Sequence, residues 1–244
     1  MKVLVAVIAY NEEKSIRSTL ENLLSAGGDY DVVVIDNGSC DDTRSICVEM
    51  GVPVVSHCVN TGSSMGTVKT YFLYAYQNDY DVLCQFDGDG QHLADQLPKI
   101  IDPVAKGEAD YVIGSRFLEK EGFQSYFMRR IGIQLFSFLD SLFIGHTVTD
   151  VTSGFRAYSR KVIRFFATHH QQEIIDTSQL LLMSHVAGAK IAEVAVVMKD
   201  REHGASEYDL KNSIAFVLFG LVNVLGSWLQ RERAGPVAGG GDGS

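Results

Sequence analysis

The chain lacks a basic surplus: 21 lysines and arginines stand against 30 acidic residues, for a formal net charge of -9. Without spare positive charge to neutralise phosphates along a duplex, the composition argues against a nucleic-acid partner. Cysteine is sparse too. Cys40, Cys47, Cys58 and Cys84 form no CxxC pair and no ligand-like spacing, which speaks against a zinc site or a disulfide framework and for reduced cytosolic thiols. Long apolar runs are nearly missing. Residues 2–9 are too short a run for a signal peptide and lead directly into Tyr10-Asn11-Glu12-Glu13, so they are expected to form a first strand. The longest run, 213–229, has 17 residues, about 26 Å as a helix, where a membrane span needs roughly 20 residues. The usual phosphate loops are absent as well. An acidic segment follows the first strand in place of G-x-G-x-x-G, and Gly62-Ser63-Ser64-Met65-Gly66-Thr67 lacks the Lys-Ser/Thr of a P-loop. A dinucleotide oxidoreductase and a P-loop ATPase are therefore disfavoured.

What is present is a chain of 244 residues, 46% hydrophobic, enough to bury the core of one domain. Short β-branched runs alternate with helical patterns, the mark of a parallel sheet covered by helices. Strands are expected at Val3–Ala9, Asp31–Asp36, 52–56, 82–86, Tyr111–Ser115 and 191–198, and helices near 42–50, 65–78, 95–106, 129–144, 159–168 and 176–187. Between the first two strands Ile16, Leu20, Leu23 and Leu24 share one helical face.

Three strands end in polar or acidic residues: Tyr10 to Glu12, Asp36-Asn37, and Asp87-Gly88-Asp89-Gly90-Gln91. In an open α/β sheet such ends lie side by side, on the edge where ligands bind. Asp87 and Asp89 flank a glycine directly after an apolar strand. Like charges so close persist mainly when a cation or a shared proton offsets the repulsion, and hard oxygen ligands favour Mg2+ or Mn2+. Taken alone, the same residues also suit a polar turn. With phosphate recognition left to a metal, a nucleotide-diphosphate donor fits best.

Seven segments then occur in a known order: Ala9-Tyr10-Asn11-Glu12-Glu13, Ile35-Asp36-Asn37-Gly38-Ser39, Asn60-Thr61-Gly62, Asp87-Gly88-Asp89-Gly90-Gln91-His92, Gly114-Ser115-Arg116-Phe117, Thr152-Ser153-Gly154-Phe155-Arg156 and Arg201-Glu202-His203-Gly204-Ala205-Ser206. Over roughly residues 3–207 the chain resembles the family 2 glycosyltransferases of the GT-A fold, particularly those that load a sugar onto polyprenyl phosphate, in the manner of dolichyl-phosphate mannose synthase. The resemblance implies a Rossmann-like, mostly parallel α/β sheet sandwiched by helices in a domain over 1–208. It implies a metal held by Asp87 and Asp89 with Gln91 as third contact, and a nucleotide-sugar seated against Ala9, Tyr10, Glu12, Asp36 and Asn37. It gives catalytic roles to Asp89, Arg116 and Arg201, and acceptor-phosphate contacts to Arg116, Arg129, Arg130 and Ser206, since a planar guanidinium can form two parallel bonds to phosphate. Arg156 is expected as a buried arginine paired with Asp150.

The chain also departs from that pattern. Asn37 stands where Asp is frequent, which would hand recognition of a base N–H to an amide oxygen; Ile8 replaces a proline and Glu207 a lysine, and 169–176, with Glu173, matches the family poorly. A lipid acceptor calls for a membrane surface, so 209–230 is expected to form an apolar helix that lies at the bilayer or against a small membrane-embedded subunit; its Gly220, Asn223 and Ser227 form a small, polar stripe. Residues 231–244 are glycine-rich and expected to be disordered. The expected place of work is the cytoplasmic face of the membrane, as a peripheral protein. Two competing functions keep the fold: transfer to a hydroxyl of a polysaccharide or glycolipid, and a non-catalytic nucleotide-sugar-binding subunit.

Overall fold

The computed structural model describes residues 1–61, 64–119, 127–168 and 177–200. Its strands are β1 (Val3–Ala9), β2 (Asp31–Asp36), β3 (Val54–Ser56), β4 (Val82–Asp87), β5 (Tyr111–Ser115), β6 (Arg156–Ser159) and β7 (Ile191–Ala195). The helices are α1 (Ile16–Ser25), α2 (Thr43–Glu49), α3 (Val68–Gln77), α4 (Leu97–Ala105), α5 (Phe127–Ile144), α6 (Arg160–Thr168) and α7 (Thr177–Val186). The strands form one sheet in the order β3-β2-β1-β4-β6-β5-β7, parallel throughout except for β6, which runs antiparallel to both neighbours.

β1 shows why the sheet carries helices on both faces. All seven of its residues are buried, and successive side chains of a strand point to opposite faces. Leu4, Ala6 and Ile8 enter one apolar layer with α3, α6 and α7; Val3, Val5, Val7 and Ala9 enter the other with α1 and α4. A fully buried Val, Leu or Ile is worth about 1.5–3 kcal/mol, so this strand anchors both layers.

The strand and helix pattern agrees with the sequence expectation at every element except β6, where no strand was expected. β3 is shorter than 52–56 and β7 shorter than 191–198. In α1, Ile16, Leu20 and Leu23 are buried as expected, but Leu24 is 52% exposed: the helix rests on the sheet by a narrower stripe than four leucine-type residues would give. All four cysteines are free. Burial pushes the Cys47 thiol up to about 11, with the charge of Asp36 adding to the effect. No helix among the described residues is long and apolar enough to cross a membrane.

Candidate active site

The C-terminal ends of β2, β1 and β4 lie side by side, with Ala9 in register with Asp36 and Ile8 with Asp87. The loops beyond them are laced together. Asn11, held at φ 52, donates its N–H to Ser39 Oγ (3.0 Å) and accepts from the Cys40 N–H (2.8 Å). The Glu12 N–H donates to Thr43 Oγ1 at 2.7 Å, and Glu12 Oε2 accepts from Ser15 Oγ at 2.6 Å. Asp36, almost fully buried, accepts at Oδ1 from both the N–H and the hydroxyl of Ser39. Ala9 receives the Asn37 N–H on its carbonyl (2.9 Å), and Tyr10 lies half-buried on the rim.

Asn37 has a task within the fold itself. Its Oδ1 accepts from Thr61 Oγ1 (2.7 Å) and the Thr61 N–H (3.3 Å) and lies 3.1 Å from His57 Nδ1, while its Nδ2 donates to Asn60. An amide oxygen has two lone pairs, and this one already accepts from both donors of Thr61. Asn37 therefore fastens the 57–61 loop.

The Asp87–Gln91 turn is built to tight tolerances. Gly88 donates its N–H to the Ile8 carbonyl at 2.8 Å, and a Cβ there would sit 3.0 Å from that same oxygen. Gly90 adopts φ +82, which glycine accepts without cost. Asp89 is buried and its Oδ1 accepts the Gln91 N–H (3.0 Å). The Asp87 side chain is 31% exposed. Gly154, from the segment that resembles a family motif, comes so close that an added Cβ would lie 2.7 Å from Asp87 Oδ2. His92 accepts the Asp87 N–H at Nδ1 (2.9 Å) and places Nε2 3.5 Å from Oδ2. Neither Gly154 nor His92 drew a role from sequence; both stood inside quoted motifs, which was the available signal.

Among the described residues no cluster of three or more His, Cys, Asp or Glu forms a closed metal cage. Two carboxylates two residues apart still fit Mg2+ or Mn2+, which are commonly bound through one or two carboxylates and completed by substrate phosphates and water. Gln91 Nε2 leans to the Lys199 carbonyl at 3.5 Å, an arrangement compatible with Oε1 as a further ligand, and the Lys199 N–H donates to the Gln91 carbonyl at 2.9 Å. The chain entering 201 is thus fixed beside this turn.

Asp150 is completely buried and holds Arg116, not Arg156. Arg116 Nε and one terminal nitrogen reach its two oxygens, each at 2.7 Å, and the Arg116 backbone N–H adds a third bond. Burial works against the Arg116 charge, but Asp150, and beyond it Asp87, outweigh that and raise the pKa. Within the protein Arg116 thus clamps the 149–152 turn through Nε and one terminal nitrogen. Arg156 is satisfied instead by the carbonyls of Ser153, Val151 and Thr177 and the hydroxyl of Tyr111. Glu193 caps the same turn, accepting the N–H groups of Thr149 and Asp150; burial raises its pKa and those bonds lower it, for a net upward shift. Arg129 and Arg130 fall in the first turn of α5, and their side chains lie outside the described residues, as do Arg201, Ser206, Glu173 and the run 213–229.

Beside α5 lies a cavity of about 640 Å³, lined by Phe117, Gln134, Phe138, Leu142, His146 and Thr149 among others. Leu135, Phe138 and Leu142, at i, i+3 and i+7, are 44%, 65% and 74% exposed and form one apolar stripe.

A UDP-N-acetylglucosamine–dolichyl-phosphate N-acetylglucosaminyltransferase of Methanococcus voltae is 29% identical over 80% of this chain and 84% of its own length. An undecaprenyl-phosphate mannosyltransferase of Micrococcus luteus is 31% identical over 85% and 87%. Among solved structures, glucosyl-3-phosphoglycerate synthase from Mycobacterium tuberculosis, in complex with Mn2+, UDP and glucosyl-3-phosphoglycerate, superposes with a TM-score of 0.68 over 93% of this chain and 79% of that one, at 20% identity, and shares its GT-A fold. The family described as Glycosyl transferase family 2 matches residues 4–166; the chain belongs to that family and is a glycosyltransferase.

Proposed function

We propose that the enzyme transfers a sugar, with inversion, from a nucleotide-diphosphate donor to polyprenyl phosphate, forming a polyprenyl-phosphate sugar for cell-envelope glycan assembly. The observation that carries this is the convergence of the β2, β1 and β4 ends on the packed Asp87–Asp89 pair, in a chain whose relatives carry names of lipid-phosphate glycosyltransferases. The loop ends at Ala9, Tyr10, Glu12 and Asp36 form the floor for the nucleoside. Asp87, Asp89 and Gln91 would hold Mg2+ or Mn2+, which supplies neutralisation of the departing nucleoside diphosphate. An acceptor phosphate whose second pKa lies near ~6 is largely dianionic at neutral pH and attacks the anomeric carbon without a general base. Arg116, Arg129, Arg130 and Ser206 are the proposed acceptor-phosphate contacts, with Arg201 beside Arg116 in a catalytic role. UDP-sugars are the preferred donors, GDP-mannose the alternative.

The apolar stripe of α5 is the described surface that suits a bilayer, and the run 213–229 is proposed to supply the rest, on the cytoplasmic face and beside a small membrane-embedded subunit. The test is transfer of radiolabel from a panel of UDP- and GDP-sugars to short-chain polyprenyl phosphate, with Mn2+ or with EDTA. Label in the lipid phase from one donor, lost with EDTA and in Asp89→Asn, is the expected result. Donor binding without lipid product would favour a hydroxyl acceptor, and near-normal transfer by Asp89→Asn would refute the metal assignment.

A further inference from the structure

A serine inside a helix commonly turns its hydroxyl back to the carbonyl one turn earlier, as Ser141 of α5 does to Ser137. Ser137 sends its own hydroxyl out of the helix. It is 4% exposed, donates to the Thr149 carbonyl at 3.1 Å and accepts the Val151 N–H at 3.3 Å, which uses its one hydrogen and one of its lone pairs. Those two groups flank Asp150. From β7, at the end of the sheet, Glu193 meets the same stretch, accepting the N–H of Asp150 at 2.8 Å and that of Thr149 at 2.9 Å. The peptide between 149 and 150 is thus held on both sides, its N–H by β7 and its C=O by α5.

With the backbone fixed before and after Asp150, the origin of its side chain is fixed too. The carboxylate then receives the Arg116 backbone N–H, Nε and Nη2, and Nη2 also reaches Thr152 Oγ1 at 3.1 Å. Nη1 takes no part in this clamp. The guanidinium is a rigid planar fork, so once Nε and Nη2 are held, the direction of Nη1 follows from where Asp150 stands.

We propose that Ser137 is a positioning residue for Arg116: from α5 it sets the backbone at Asp150, and through that carboxylate the aim of Nη1 at the acceptor phosphate. The inference rests on the reading of Arg116 as an acceptor-phosphate contact. It gives α5 a second task, because the helix whose Leu135, Phe138 and Leu142 are exposed carries on its buried side the hydroxyl that seats the arginine.

The test is steady-state transfer by the full chain to short-chain polyprenyl phosphate, for the wild type, Ser137→Ala, Arg116→Lys and the double variant, with UDP affinity in Mn2+ measured by calorimetry. Ser137→Ala strands a buried carbonyl and N–H and lowers Tm, so the two substrates must be compared. Misplacing a reacting group by about 1 Å can cost on the order of 100-fold in rate, and Ser137→Ala should lose on the order of 10- to 100-fold in kcat/KM for the acceptor. UDP affinity should stay near the wild-type value. Arg116→Lys keeps a charge beside Asp150 but loses the fork, and adding Ser137→Ala to it should cost little more, since changes that act through one contact are not additive. Glu193→Gln, which loosens the same turn from β7, should reproduce the acceptor-side loss and provides the comparison where Ser137→Ala folds poorly. An unchanged acceptor kcat/KM in Ser137→Ala, an equal loss of UDP affinity, or the full loss repeated on the Arg116→Lys background would each overturn the positioning role. A wild-type chain that makes no lipid product, or an Arg116→Lys variant with full acceptor kcat/KM, would instead overturn the acceptor-phosphate reading of Arg116, and this inference with it.

Discussion

At Gly154 a single methyl group leaves no room for the Asp87 carboxylate where it stands. A Cβ placed there would stand 2.7 Å from Asp87 Oδ2, well inside van der Waals contact, so in Gly154→Ala the carboxylate must swing aside while the surrounding core is untouched. Misplacing a reacting group by about 1 Å can cost on the order of 100-fold in rate; Gly154→Ala should lose that much transfer in a steady-state assay and change Tm little. The Arg116–Asp150 pair behaves in the opposite way. Asp150→Asn leaves a buried guanidinium uncompensated and should destabilise the fold by about 3–5 kcal/mol in urea denaturation, and adding Arg116→Met should return part of that loss. Arg156 is the partner of Asp150 expected from sequence. Arg156, however, begins β6 and alternates onto the same face as Tyr158, where carbonyls and the Tyr111 hydroxyl receive it.

Among the elements, β1, β2 and β4 were legible because each combines an apolar run with an abrupt acidic end, and both signals belong to the strand itself. β6 carried neither. It has four residues, starts with a charged side chain and runs against its neighbours; its place is set by partners 43 to 77 residues away in sequence, which no local pattern encodes. The loop roles of Asn37 and His57 were hidden for the same reason, since they depend on where Thr61 and Thr70 come to lie. In α5 the helical period was readable, but which face would be left uncovered was not, because that depends on α7 and the 145–149 turn. Phe138→Ser with Leu142→Ser leaves the buried Phe136 and Ile144 in place. This double variant is expected to keep the wild-type Tm and to lose most co-sedimentation with anionic lipid vesicles; unchanged vesicle binding would remove α5 from the proposed membrane surface.

For the whole molecule, a ligand that binds only the folded state adds RT ln(1 + [L]/Kd) to stability, about 2.7 kcal/mol at a hundredfold excess over Kd. Mn2+ and UDP together should therefore raise Tm by several degrees, EDTA should reverse the gain, and Asp89→Asn should show none; a UDP shift indifferent to EDTA would uncouple nucleotide from metal. The backbone bond between Lys199 and Gln91 ties the end of the described chain to the Asp87–Gln91 turn. From Asp200 to Ser213, where the apolar run starts, there are thirteen residues, and a fully extended chain of that length spans at most roughly 45 Å. With 213–229 at a bilayer, as proposed, the Asp87–Gln91 turn would work within that distance of the lipid headgroups, in reach of acceptors held at the membrane plane.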